Sequence, residues 1–181
     1  EIPFASRPVI YRKFVFPIVV PPGEKKSYLF EATSDGEVLT MPIKLWEKDN
    51  FNSFAQRENL TLGIYFGLLI FVVGLFGFFA LVIKERIYFY YVAYVIFLFF
   101  MQASLDGLAY EYIWPNSTWL ANHTILFFSG ASVFMLMLYA AEFLTLSTLP
   151  RWFQYLYKLN LVLVAICTTA ALTSGFFYEI S

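Results

Sequence analysis

Charge is what this chain has least of: Asp, Glu, Lys and Arg make up 14% of its 181 residues, against about a quarter in a soluble domain. Hydrophobic residues reach 60% and aromatics 22%, with a mean hydropathy of +0.65. Water is not the main solvent for such a chain. The formal net charge of -1 leaves no basic surface to neutralise phosphates, which sets nucleic acid aside as a partner. Cys167 is the single cysteine, so an internal disulfide and any multi-cysteine zinc or iron–sulfur site are excluded. His123 is the single histidine, too few for a two-histidine metal site, and the motifs of metalloproteases, phosphate loops and nucleophile elbows are absent. No metal, no cofactor and no catalytic residue is expected, and the chain is not expected to be an enzyme.

What is present divides into a short β-patterned part and a long helical one. Alternating apolar residues over 14–20, 26–32 and 38–46 read as three strands, with Pro17 marking an edge and Pro21, Pro22 and Gly23 a turn. The chain opens at Glu1 without the basic flank and apolar core of a secretory signal. Its strands are too few to close a core, so part of a larger outer domain is expected to be missing. Beyond Trp46 the spacing of Ser53 and Gln56 suggests a capping box. With no Pro or turn cluster to interrupt it, one helix is expected over 50–83, roughly 50 Å long.

Residues 59–83 contain no charge and exceed the roughly 20 residues that cross a hydrocarbon core. Further uncharged or nearly uncharged runs follow at 87–105, 119–141 and 159–177. The fold class is therefore a mainly α, integral membrane helical bundle with four spans, preceded by a short antiparallel β segment (1–49) belonging to an extracytoplasmic jelly-roll-like sandwich. Lys84 and Arg86 flank the first connection and Arg151 and Lys158 the third, whereas the middle one offers only Asp106 and Glu111. Basic loops stay in the cytoplasm, so the amino-terminal segment is expected outside.

Two sets of residues stand out in the spans. Gly63, Gly67, Gly74 and Gly77 fall within roughly an 80° arc of the first span, a helix-packing face on which another helix could approach closely. Gln102 and Asp106, ending the second span, and Asn122 and His123, opening the third, are polar groups near membrane depth, where such groups are costly unless paired or wet. Interfacial placement accounts for most of them. A ligand-facing pocket at the outer mouth is the sharper alternative.

The order of these features resembles a known family. Ile43-Lys44-Leu45-Trp46, Phe54-Ala55-Gln56-Arg57-Glu58 and Gly63-Ile64-Tyr65-Phe66-Gly67 come first. Lys84-Glu85-Arg86-Ile87-Tyr88, Asp106-Gly107-Leu108-Ala109 and Trp119-Leu120-Ala121-Asn122 follow. Together they resemble the bacterial seven-transmembrane receptors with diverse intracellular signalling modules (7TMR-DISM). That resemblance implies a periplasmic β-sandwich with carbohydrate as one ligand class, seven spans in the bacterial inner membrane, and a cytoplasmic output module. It supplies no catalytic or ligand residues to carry over. The expected partners are the lipid bilayer, a small-molecule ligand, the remaining helices and signalling module of a longer protein, and a second copy in a homodimer. The leading reading is the sensing and transducing part of a receptor. A transporter or channel subunit is the alternative, for which a midplane polar site or a broken helix would be expected. A membrane-embedded enzyme comes last.

Overall fold

The computed structural model describes residues 9, 11–29, 43–115 and 118–178, and the side chains of 118–122, 147 and 171–178 lie outside that description. The described residues form five α-helices: α1 (Lys48–Ile83), α2 (Arg86–Leu105), α3 (Leu108–Tyr112), α4 (Thr118–Phe143) and α5 (Arg151–Tyr178), with a 3-10 turn at Leu146–Thr148 before the last. Four of them are long and apolar enough to cross a membrane: α1, α2, 123–143 within α4 and 151–170 within α5.

Helix α1 runs unbroken for 36 residues, about 54 Å at 1.5 Å per residue. No proline interrupts it between Pro42 and Pro115. Its first backbone bond runs from the Phe51 N–H to the Glu47 carbonyl, 2.8 Å. The expected capping box at Ser53 is therefore corrected: the helix begins at Lys48, and Ser53 lies within it. The physical reason is that nothing from Lys48 onward breaks helical geometry, so the helix extends back to Glu47, which is still extended. At the other end Lys84 adopts a left-handed conformation (φ 60°) and donates its N–H to the Ala80 carbonyl, and α2 starts two residues later. The pair is a tight antiparallel hairpin.

No strand is present among the described residues. The turn at 21–24 forms, with the Glu24 N–H donating to the Pro21 carbonyl at 3.2 Å. Residues 14–20 nevertheless carry no ladder, and Phe14, Phe16 and Val19 stay exposed. A strand needs a neighbouring backbone to pair with. Here the two arms of the turn are linked by a side chain instead, Lys26 Nζ donating to the Val19 carbonyl at 3.2 Å. Residues 30–42, which hold the end of the second expected strand and the start of the third, lie outside the described residues.

Within a bilayer, burial of apolar surface does not drive helices together, so shape and ring contacts must. Helix α2 occupies the middle, packed against α1 on one side and α4 on the other, while α4 also packs against α5. Phe66 meets Phe99 edge-on at 4.9 Å, and Phe100 stacks on Phe128 at 5.1 Å. Nearer the opposite end Phe76 contacts Tyr91 at 4.5 Å, and Tyr91 contacts Tyr139 at 5.4 Å. Both sets join α1 to α4 through α2. Helix α5 is held differently. The Tyr157 hydroxyl donates to the Met137 carbonyl, and Gly130 lets Thr168 approach so closely that an added Cβ would lie 2.9 Å from its Cβ and Cγ2.

Gly130→Ala is expected to lower bundle stability by about 1–3 kcal/mol, the usual cost of overpacking. Thr168→Ala removes the Oγ1 and Cγ2 atoms that the added Cβ would meet and should recover part of that loss. Thermal unfolding of the detergent-solubilised protein measures both. Simple addition of the two single-variant effects would mean that the residues do not meet.

Candidate functional site

Glu58 is the last charged residue of α1 before the uncharged run. Its carboxylate has no place in hydrocarbon, and it is met instead by three consecutive donors from the amino-terminal segment. Arg12 pairs with Glu58 Oε2, with the Arg12 side chain only 2% exposed. The Tyr11 hydroxyl donates to the same oxygen at 2.5 Å, and Lys13 Nζ donates to Oε1 at 2.8 Å. Arg12 also reaches Asn59 Oδ1 at 3.5 Å. The Tyr11 ring lies edge-on to Phe51 of α1 at 5.2 Å, and the Arg12 guanidinium sits 5.5 Å from the Tyr11 ring centre. Charge, hydrogen bonds and ring packing thus fasten residues 11–13 to the outward extension of α1.

Arg12 has a second anchor. Between α2 and α3, Gly107 takes φ +77°, a conformation that side chains rarely adopt, and a Cβ there would stand 3.2 Å from the Arg12 carbonyl oxygen. Glycine serves both needs at once: it turns the chain and lets Arg12 approach. Directly beneath, Phe66, Ala103 and the fully buried Ala109 form a core cluster, with Leu62, Leu69, Phe99, Leu108 and Trp114 against it. One residue of the outer segment therefore touches both α1 and the α2–α3 turn.

Burial alone would raise the Glu58 pKa. Hydrogen bonds from Lys13, Tyr11 and Arg12, with the Arg12 charge, outweigh it and bring the value from 4.5 down to about 2. Burial, then the hydrogen bond to Glu58, pushes Tyr11 from 10.0 up to about 12.

Of the pocket expected from sequence, Gln102 and Asp106 do meet, Gln102 Nε2 donating to Asp106 Oδ2 at 3.0 Å. Asp106 directly precedes Gly107, where Arg12 is anchored. His123 is half-buried on the neighbouring α4, and the side chain of Asn122 lies outside the described residues. The indole N–H of Trp114 is buried with no acceptor among the described residues. An added Cβ at Gly63, Gly67, Gly74 or Gly77 would meet nothing within 4 Å. The four described spans leave that helix-packing face uncovered. Sequence reasoning overlooked Tyr11, Arg12 and Lys13. Their one visible signal was a run of donors in a chain poor in charge, and nothing marked Glu58 as their partner.

An amino-terminal segment clamped to a bundle of long apolar helices defines a multi-pass membrane protein. The family model described as 7TM diverse intracellular signalling matches residues 58–181, and that described as 7TMR-DISM extracellular 2 matches residues 1–47. The chain belongs to the 7TMR-DISM family. The two matches leave between them only the first part of α1, which carries the extracellular segment into the membrane bundle. No curated protein and no solved structure matches the chain.

The pKa values define a pH window for the clamp. Glu58 is depressed, so its contribution is complete above pH 4.5 and is lost as pH falls toward about 2. Tyr11 is raised, so its contribution is complete below pH 10.0 and is lost as pH rises through about 12. A spin label at position 14, with Cys167→Ser, should be immobilised at neutral pH and become mobile in strong acid. Glu58→Gln should mobilise it at pH 7, weakening the clamp by roughly 1–3 kcal/mol by leaving Arg12 short of its charged partner. An identical spectrum in both proteins would remove the clamp from consideration.

Proposed function

We propose that the chain is the input and transduction part of a receptor in the bacterial inner membrane. An extracytoplasmic small molecule, with carbohydrate as one candidate class, biases the outer segment. The bias passes through the helices to a cytoplasmic output module, which carries the chemistry, so that no enzymatic role falls to these helices. For this to work the ligand must bind one bundle arrangement better than the other.

The observation that carries the reading is the Arg12 clamp. It ties the outer segment to a helix that continues without interruption to Ile83, and through Gly107 to α2 and α3. Ring contacts continue from there toward the far end through Phe76, Tyr91 and Tyr139. The glycine face of α1 would receive the remaining helices or a second copy of the protein. A ligand at the mouth would meet the Gln102–Asp106 pair, His123 and the Trp114 indole among its polar neighbours.

The test uses the full-length protein in oriented vesicles, with Glu85→Cys and Cys167→Ser. Accessibility of position 85 to an impermeant maleimide on the cytoplasmic side reports the inner end of the hairpin. Glu58→Gln and Gly107→Leu are each expected to change the labelling rate by roughly fivefold, the low end of typical coupling between sites. Unchanged labelling in both variants, while the spin label at position 14 is released, would mean that the clamp is an anchor and not a relay.

A further inference from the structure

The inner end of α5 carries charge and apolar surface that the other described helices leave open. Trp152, Tyr155, Leu156 and Leu159 line a shallow cleft of about 660 Å³, and their exposures are 64, 70, 50 and 61%. Arg151 and Lys158 bracket it. At 100° per residue Arg151, Tyr155 and Lys158 fall within roughly 60° of one another, with the two cations about 10 Å apart along the axis. Neither cation forms an ion pair among the described residues.

Charges of the opposite sign are scarce here. Helix α5 contains no Asp or Glu, and the only acidic residue of the packed α4 is Glu142, which is exposed near its end. Across the same end of the bundle lie Lys84, Glu85 and Arg86. Basic charge therefore prevails where the bilayer meets the cytoplasm. Trp and Tyr are at home at headgroup depth, and the stems of Arg and Lys can follow apolar surface while their charged ends stay at the interface.

An apolar cleft between two cations suits an amphiphile with an anionic head. We infer that the start of α5 binds an anionic phospholipid of the cytoplasmic leaflet. The lipid phosphate lies between Arg151 and Lys158, and the first methylene groups of an acyl chain occupy the cleft beside Trp152 and Leu156. Charge complementarity selects this occupant: the cytoplasmic leaflet is where anionic lipid lies, and each basic residue near such a surface contributes about 1 kcal/mol.

Trp152 makes the site observable. The full-length protein is reconstituted in phosphatidylcholine with increasing fractions of phosphatidylglycerol or further phosphatidylcholine, each brominated near the head of its acyl chains. A Trp152→Phe protein supplies the signal of the other tryptophans for subtraction. Trp152 should be quenched at lower fractions of the anionic lipid. That preference should fall by roughly fivefold for each cation removed, about 1 kcal/mol apiece, and vanish in Arg151→Gln/Lys158→Gln. Equal quenching by the two lipids in the parent protein would overturn the inference. So would quenching by neither, which would mean that protein covers this face. Loss of the preference on adding inorganic phosphate would likewise overturn it, by assigning the cations to a free ion.

Discussion

A single carboxylate held at the edge of the hydrocarbon organises the outer half of this molecule. Glu58 cannot move inward without losing its hydration, and it cannot be left bare, because it stands where water gives way to lipid. Tyr11, Arg12 and Lys13 resolve the conflict by supplying hydrogen bonds and opposite charge from the outer segment. Once Arg12 is committed to Glu58, its backbone lies so near the turn after α2 that a Cβ on residue 107 would crowd its carbonyl oxygen. The buried Ala109 and the cluster around Phe66 then fill the space below. Removing the carboxylate would free not one contact but a series of them.

The spans are held together by another logic. Lipid tails are as apolar as Leu or Phe, so these helices gain little by hiding such residues from lipid, and many of them face outward: Ile64, Leu68 and Phe71 on α1, Leu163 and Ile166 on α5. Contacts that discriminate between neighbours come from small residues and flat rings. Ala80 on α1, Val95 and Ala103 on α2, and Thr124 and Ser132 on α4 are among the few buried positions. Ser132 answers its own polarity by bonding back to the Ser129 carbonyl. Such packing tolerates tilting and small rotations more readily than a tightly interlocked core would, which is compatible with the relay proposed above.

The four apolar spans were readable in sequence because each is a long run free of charge, and because Lys84, Arg86 and Arg151 punctuate them. The 7TMR-DISM resemblance was readable for a related reason: its cues, such as Asp106-Gly107 before Leu108-Ala109, are local strings. The bond between residues 11–13 and Glu58 was not, since it joins groups 45 to 47 positions apart, and no periodicity encodes such a pairing. The strand pattern over 14–20 states only which residues could share a face. Pairing needs a second backbone, and the described residues offer none. Gln102 and Asp106 could be joined in advance because they lie one helical turn apart. The glycine stripe of α1 spoke of a close helix–helix approach, yet among the described residues that approach is made on α4, where Gly130 meets Thr168 of α5.

The connection between α1 and α2 has a mechanical consequence. Only Lys84 and Glu85 separate the two helices, and the first of them is already committed to closing α1. A piston stroke of α1 past α2 by one turn, about 5.4 Å, would need slack that such a link does not contain. At the outer end the same two helices are stapled by Arg12. Joined at both ends, α1 and α2 are barred by geometry from sliding lengthwise past each other.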